Sequence, residues 1–154
     1  MIQFIEVAVT EIDLIKPLWE QLRDYQSSKS IDFKDDLKNN TWEKRKKALI
    51  NENKRLKIFL AKDIEYIGYC ISSITNESKG EIDSIFITSN YRESGIGSEF
   101  MNRALKWFEE SGITDIYISV VVGNEEVLGF YNKFGFKPRT IYLKRTDKTN
   151  VKEN

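Results

Sequence analysis

The clearest pattern of apolar positions in this chain lies between Glu81 and Gly112. Isoleucine and phenylalanine dominate residues 82–87, and a short apolar run of this kind is typical of a buried strand. After Gly97, apolar residues recur at every fourth position and predict an amphipathic helix that ends at Gly112. That apolar stripe comprises Ile96, Phe100, Met101, Ala104, Leu105 and Phe108. The segment is therefore predicted to form a strand, a glycine-containing loop and a helix.

Weaker patterns before this segment predict a strand at residues 2–9 and a helix at residues 11–27. Pro17 lies inside the helical pattern and indicates a break near its start. Residues 26–40 are polar and without a clear period, which favours a loop or a short irregular helix. A further helix is predicted from Thr41, as its N-cap, to about Asn53.

The remaining segments alternate between strand and helix patterns. Residues 56–62 and 66–75 predict two strands of a hairpin, and residues 115–122 predict a strand rich in Ile, Tyr and Val. A short helix is predicted at residues 125–134 and a last strand at residues 136–145. The sequence thus predicts one α/β domain over residues 1–146, followed by a polar C-terminal tail at residues 147–154.

Composition excludes several classes of function. The 154 residues carry 24 basic and 24 acidic side chains, so nothing global favours binding to nucleic acid. The absence of histidine removes Ser-His-Asp triads and His-bearing zinc sites, and the single Cys70 allows no internal disulfide. Since neither a signal peptide nor an apolar run of membrane-spanning length is present, we expect a cytoplasmic protein with no membrane partner.

The glycines before the long helix suggest an anion site. A helix N-terminus offers free N–H groups and partial positive charge, so it can bind a phosphate without any lysine. Gly95 and Gly97 allow close approach of the backbone, and Ser98 adds a hydroxyl donor. A simple turn explains the same glycines. The loop lacks the Gly-Lys-Ser/Thr of a Walker motif, and Phe100 stands where a dinucleotide fingerprint needs its third glycine.

Two motifs together carry a resemblance to a known family. Arg92-x-x-Gly95-x-Gly97, between a strand and a helix, resembles the acetyl-CoA pyrophosphate loop of the GNAT superfamily of N-acetyltransferases. Asn124, followed by Phe130-Tyr131 and Gly135-Phe136, resembles the second signature of that family, although Val127 stands where an alanine is common. The resemblance covers residues 55–145 well and the first 50 residues only loosely.

The resemblance implies a fold and a cofactor site. The expected sheet has six to seven strands, is mixed but mostly antiparallel, splays between the fourth and fifth strands, and is flanked by about four helices. Acetyl-CoA would bind at this splay. Its implied binding residues are Ile85, Phe86, Ile87, Arg92, Glu93, Ser94, Gly95, Ile96, Gly97, Ser98, Asn124 and Tyr131. No metal is implied.

The resemblance also implies catalytic roles. Tyr131 occupies the position from which family members commonly protonate the leaving thiolate. Glu81 matches a glutamate that in many relatives helps to deprotonate the amine, and Asp83 lies two residues further on the same strand face. We rank Glu81 ahead of Asp83 as the base, while noting that many relatives lack a dedicated base.

The function implied is direct acetyl transfer from acetyl-CoA to a primary amine of an unidentified small-molecule or protein acceptor. The alternative is a non-catalytic acyl-CoA-binding sensor or partner protein on the same fold. A homodimer is compatible with the resemblance, because GNAT proteins often pair through terminal strands.

Three features have competing interpretations. The run Lys44-Arg45-Lys46-Lys47 is interpreted as a solvated helix face rather than a nucleic-acid patch, because it is short and lacks interleaved aromatics. Trp19 and Tyr25 are interpreted as core residues, although they could line a substrate cleft. The acidic residues of the polar segment 26–40, which are Asp32, Asp35 and Asp36, could hold a cationic amine or simply face solvent.

Overall fold

The structure, a computed structural model, describes residues 1–146. These residues form one mixed sheet of five strands in the order β1-β2-β3-β4-β5. The first four strands are antiparallel to their neighbours, and the fifth runs parallel to the fourth. The strands are β1 (Gln3–Val7), β2 (Lys54–Lys62), β3 (Tyr66–Thr75), β4 (Lys79–Ile87) and β5 (Asp115–Ile118). The predicted α/β architecture is confirmed, but the predicted count of six to seven strands is too high for these residues.

Five α-helices flank the sheet within the described residues. They are α1 (Lys16–Lys29), α2 (Lys34–Lys38), α3 (Trp42–Leu49), α4 (Ile96–Glu110) and α5 (Leu128–Asn132). Single turns of 3-10 helix at Ser89–Tyr91 and Glu125–Val127, and a longer one at Val9–Ile15, precede three of them. Pro17 lies in the first turn of α1, where a missing N–H costs nothing, so it starts the helix rather than kinking it.

Each face of the sheet is covered by its own apolar core. The predicted stripe of α4 packs on one face, where Phe100, Ala104 and Phe108 are fully buried. The opposite face packs against α1, α3 and the 3-10 helix at Val9–Ile15, with Trp19 and Trp42 in tilted contact at 5.6 Å between ring centroids. The core interpretation of Trp19 is therefore confirmed, and Gly112, in the left-handed conformation, ends α4 near the predicted residue.

The predicted strand at residues 136–145 is wrong. This segment pairs with no strand in the described part of the chain. It is held instead by side chains, since Arg139 donates to the Tyr117 hydroxyl at 3.4 Å and Lys144 pairs with Asp36 at 3.0 Å. Ile141, Tyr142 and Leu143 are 78%, 94% and 87% exposed. The predicted polar tail at residues 147–154 lies outside the described residues.

Candidate functional site

An opening between β4 and β5 forms the centre of the candidate site. The two strands pair only from Lys79–Ile82 on β4 to Asp115–Ile118 on β5, whereas β4 continues to Ile87 beside β3. In an antiparallel ladder, alternate backbone groups point away from the paired neighbour. Some N–H and C=O groups of residues 83–87 therefore face the opening, where the sequence placed Ile85, Phe86 and Ile87. This is the splay between the fourth and fifth strands that the sequence predicted.

A β-bulge lies at the point where the strands part. Ile71 of β3 faces Ser84 and Ser72 faces Ile82, which leaves Asp83 as an extra residue without a partner on β3. Beyond this residue the side chains change face. Ile82 packs in the core under α4, whereas Phe86 packs in the core under α1, with Ile85 now on the α4 side. The bulge thus reverses the side-chain pattern of β4 beside the opening.

The predicted anion loop lies at the end of β4. Gly95 is left-handed, with φ of 86°, and leads directly into α4, whose first N–H groups have no partners within the helix. Glu93 is also left-handed, with φ of 62°, and the Ser94 hydroxyl donates to the carbonyl of Tyr91. Ser98 is half-buried at the third position of the helix. The loop has the open backbone and the free donors that an anion site needs.

Gly97 also has a packing role. A Cβ at this position would lie 3.1 Å from the Phe130 ring and 3.5 Å from the side chain of Ile87. The glycine therefore allows the start of α4 to pack closely against α5 and β4. This contact brings the second signature segment next to the anion loop.

Arg92 is directed toward α1. Its Nε donates to the carbonyl of Ile87 at 3.1 Å, and its guanidinium lies 5.3 Å from the ring centre of Tyr25 and 5.8 Å from that of Phe86. Tyr25 in turn donates a hydrogen bond to Glu126, which follows β5. This chain of contacts joins the end of β4 to the other side of the opening. The sequence interpretation missed Glu126 and treated Tyr25 as a core residue, although Tyr25 is only half-buried.

Asn124 carries an unsatisfied buried oxygen. The residue is 8% exposed, and its Oδ1 has no hydrogen-bond partner within residues 1–146. Asn124 occupies the N-cap of the 3-10 turn before α5, but its side chain makes no capping hydrogen bond. Because an unpaired buried oxygen is costly, it indicates a donor supplied from outside the protein.

Tyr131 is buried near the opening. It is 8% exposed in the core that includes Cys70 and Met101. Burial raises its pKa to about 12, with a smaller contribution from Cys70. The phenol is therefore fully protonated at neutral pH. Cys70 itself is fully buried, as the sequence indicated, and burial raises its pKa as well.

The two predicted carboxylates differ in environment. The Asp83 side chain is only 3% exposed, and its Oδ2 has no hydrogen-bond partner among the described residues. Burial, with a smaller contribution from Glu81, raises the pKa of Asp83 to about 6 against the opposing effects of Ser73, Lys54 and Arg45. Glu81 is half-buried. Asp83 therefore has a pKa that suits proton exchange near neutral pH.

The other predicted features lie away from this site or on the surface. The three acidic residues of the polar segment are exposed, and Asp36 is occupied by the Lys144 ammonium. Over residues 1–146, no helix is long and apolar enough to cross a bilayer, and no group of three or more side chains could hold a metal ion.

Comparison with known proteins identifies similar sequences and folds. The sequence profile described as the acetyltransferase (GNAT) family matches residues 17–136. The N-alpha-acetyltransferase 50 of Danio rerio is 36% identical over 63 residues, which are 40% of this chain and 38% of that protein. The chain spans between about a third and a half of the length of the curated relatives that it matches.

Two solved structures show the same fold at low identity. A ribosomal-protein-alanine N-acetyltransferase from Brucella melitensis superposes with a TM-score of 0.66 at 13% identity, covering 94% of this chain and 99% of that one. An aminoglycoside N-acetyltransferase in complex with CoA gives a TM-score of 0.62 at 15% identity, covering 94% and 100%.

Proposed function

Because this chain belongs to the GNAT acetyltransferase family, we propose that it is an acyltransferase that transfers the acetyl group of acetyl-CoA to a primary amine. Transfer is direct, with cofactor and acceptor bound at the same time. The observation that carries the proposal is the opening between β4 and β5, bordered by free backbone groups of β4 and by the first turn of α4.

Three features of the chain fit acetyl-CoA, which members of this family use. The free N–H groups at the start of α4 suit a pyrophosphate, with Ser98 as an additional donor. Backbone groups near Ile85 and Ile87 face the opening and suit the amides of an extended pantetheine arm. The unpaired Oδ1 of Asn124 suits an amide N–H of the same arm. Arg92, held against Tyr25, supports the loop rather than contributing its charge to a phosphate.

We assign the chemical steps to residues of β4 and α5 whose surroundings are described above. The bound cofactor supplies the acetyl group as a thioester, which an amine attacks once it has lost its proton. Asp83, ionised above about pH 6, takes that proton from the ammonium directly or through water. Backbone N–H groups near Ile85 polarise the acetyl carbonyl. Tyr131, protonated at neutral pH, gives its proton to the departing sulfur as the C–S bond breaks. The nitrogen, now bonded to the acetyl carbon, loses its extra proton, which returns to the Tyr131 oxygen directly or through water, and Asp83 releases its proton to solvent.

The acceptor is a small-molecule or a protein amine. Similar proteins include an N-alpha-acetyltransferase and an aminoglycoside N-acetyltransferase, so both classes belong in a first panel. An α-amino group is already partly neutral at pH 7, whereas an alkyl amine depends more on a base such as Asp83. Comparing the pH profiles of a peptide and an aminoglycoside acceptor therefore separates the two classes.

The experiment that tests the cofactor is calorimetric titration with acetyl-CoA beside Ser98→Glu. A glutamate at the third position of α4 suits the helix dipole, so it keeps the fold while its carboxylate occupies the anion site. We expect the wild type to bind with a Kd of about 1–100 μM and Ser98→Glu to lose binding. Asn102→Glu, exposed one turn later on α4, is the matched charge control and should bind normally.

Gly97→Glu is a poorer test, because its side chain would strike Phe130 and disturb packing. Absence of acetyl-CoA binding to the folded wild type would contradict the proposal. Binding without thiol release for any amine in the panel would contradict the catalytic part alone.

A further inference from the structure

The basic run on α3 does not form a uniform solvated face, contrary to the sequence interpretation. Lys44 and Lys47 are exposed, but Lys46 pairs with Asp13 at 3.0 Å. Arg45 is half-buried and reaches across to β4, 38 residues away in the sequence. The run therefore divides into two solvated cations and two that bind neighbouring elements.

Arg45 contacts the backbone at the β-bulge. Its Nη2 donates to the carbonyl oxygen of Asp83 at 2.9 Å. Asp83 is the residue that the bulge leaves without a partner on β3, so the ladder there does not hold it in place. A guanidinium hydrogen bond from α3 replaces that constraint. It fixes the backbone from which the Asp83 side chain projects.

Lys54 contributes from the other side. Its Nζ lies 4.0 Å from Oδ1 of Asp83, and the lysine side chain is 25% exposed whereas that of Asp83 is 3% exposed. Lys54 is the first residue of β2, so a third element meets α3 and β4 here. The Lys54 cation favours the ionised carboxylate in a place where burial disfavours it.

The remaining groups around the carboxyl come from the two neighbouring strands. Glu81 on β4 adds a like charge that opposes ionisation, and the Ser73 hydroxyl on β3 favours it. The Cys70 thiol on β3 is protonated at neutral pH, because burial raises its pKa and the Asp83 carboxylate raises it as well. Among residues 1–146, Arg45 and Lys54 are thus the two cations that face Asp83.

We propose that Arg45 and Lys54 are the positioning residues of the Asp83 carboxyl: Arg45 holds the bulge through the backbone, and Lys54 keeps the side chain ionised. This inference rests on the proposed function, in which Asp83 is the base. Neither cation touches the reacting atoms in this scheme. They act only through Asp83.

The test is an NMR titration of the protein labelled with 13C at the aspartate carboxyl groups, with Asp83→Asn used to assign the Asp83 signal. We expect Lys54→Met to raise the Asp83 midpoint by about one pH unit, and Arg45→Met to raise it by less. Lys54→Arg should restore the wild-type midpoint, because it keeps the charge. Lys47→Met, on the exposed side of α3, is the control and should leave the signal unchanged.

Arg45→Lys separates the two roles. It keeps the charge but is too short and too flexible to reproduce the guanidinium hydrogen bond. We expect a nearly unchanged Asp83 midpoint together with a kcat about tenfold lower and an unchanged KM for acetyl-CoA. An Arg45→Lys variant with wild-type kcat would overturn the role of the hydrogen bond.

An Asp83 midpoint that is unchanged in both Lys54→Met and Arg45→Met would overturn the electrostatic part. The titration requires no turnover, so it is independent of the proposed function. If Asp83→Asn retained full activity while the midpoints moved as expected, Asp83 would not be the base. Arg45 and Lys54 would still be shown to position the Asp83 carboxyl.

Discussion

The two faces of the sheet differ in chemistry although the same strands build both. Under α4, the face is almost wholly apolar, with Phe100 and Phe108 packed on the strands. Under α1 and α3, an apolar core adjoins a polar strip that contains Ser73 and Asp83, and Tyr69 hydrogen-bonds Ser84 at 2.7 Å. The apolar face stabilises the fold, whereas the polar strip carries a buried carboxyl, with one oxygen lacking a hydrogen-bond partner among residues 1–146, at a cost in stability. The comparison teaches that the more uniformly apolar packing and the candidate base lie on opposite sides of β4.

The largest effect is expected on the apolar face. Phe100→Ala removes a fully buried ring that meets Phe4 edge-on at 5.4 Å between centroids, and should lower the free energy of unfolding by about 3–5 kcal/mol. Urea denaturation monitored by circular dichroism measures this. Tyr142→Ala removes a ring that is 94% exposed and should change the midpoint little. Equal losses in the two variants would contradict the assignment of the core.

The next effect concerns activity on the polar face. Asp83→Asn should lower turnover by about 100-fold to 1,000-fold, because the neutral amide cannot accept the ammonium proton. Steady-state thiol release with a reactive amine measures the loss. Glu81→Gln is the matched variant and should have the smaller effect. A larger loss in Glu81→Gln than in Asp83→Asn would instead support Glu81 as the base, the ranking that the sequence analysis favoured.

Asp83→Asn should also raise the free energy of unfolding at neutral pH. The folded-state pKa of Asp83 is about 6, above the ordinary value of 3.8, so between these values the native state binds more protons than the unfolded state. This carboxyl therefore favours folding below about pH 4, and that contribution is lost as the pH rises through 6. Asp83→Asn should be more stable than the wild type at pH 8 by about 1–3 kcal/mol, with little difference at pH 4. Thermal melts at both values test this; an equal loss of stability at both would contradict it.

A smaller effect is expected at Tyr131, which belongs to the apolar face but contributes a proton. Tyr131→Phe keeps the packing and removes the hydroxyl, so turnover should fall about 10-fold to 100-fold while acetyl-CoA affinity is kept. Calorimetry and thiol release measure the two quantities separately. Unchanged activity with an unchanged pH profile would remove Tyr131 from the mechanism.

The smallest effect is expected where α1 meets the segment after β5. Tyr25→Phe removes the hydrogen bond to Glu126 but keeps the ring that stacks on Arg92. We expect an unchanged melting midpoint, since the pair lies at the surface, and a modest rise in the KM for acetyl-CoA. Glu126→Gln keeps a hydrogen-bond acceptor and should behave almost like the wild type.

Local pattern predicted the parts of the fold that depend on nearby residues. The stripe of α4, its end at Gly112 and the N-cap at Thr41, whose Oγ1 accepts from Lys44 N–H at 3.2 Å, were all predicted. The strand, loop and helix that carry Gly95 follow in the predicted order. These features depend on periodicity and capping, which neighbouring residues determine.

Features that depend on distant pairing escaped prediction. No glycine or proline marks the bulge at Asp83 in the sequence. The pattern of apolar residues therefore predicted a regular strand. Segment 136–145 has an extended pattern, but only a neighbouring strand could have made it part of the sheet. Arg45 and Glu126 meet partners 38 and 101 residues away, and no local pattern identifies such contacts. The candidate base and its surroundings therefore became visible only in three dimensions.

The bulge at Asp83 also changes which residue numbers of β4 point to each face of the sheet. Before it, even-numbered residues of β4 such as Ile82 point toward α4, and after it, even-numbered residues such as Phe86 point toward α1. Removing Asp83 alone would restore a regular pleat and leave Ile82 and Phe86 on their present faces, opposite their present partners on β3. The pairing of β4 with β3 therefore does not need this residue, and the chain carries its buried carboxyl at a position that the sheet could lose without changing either core.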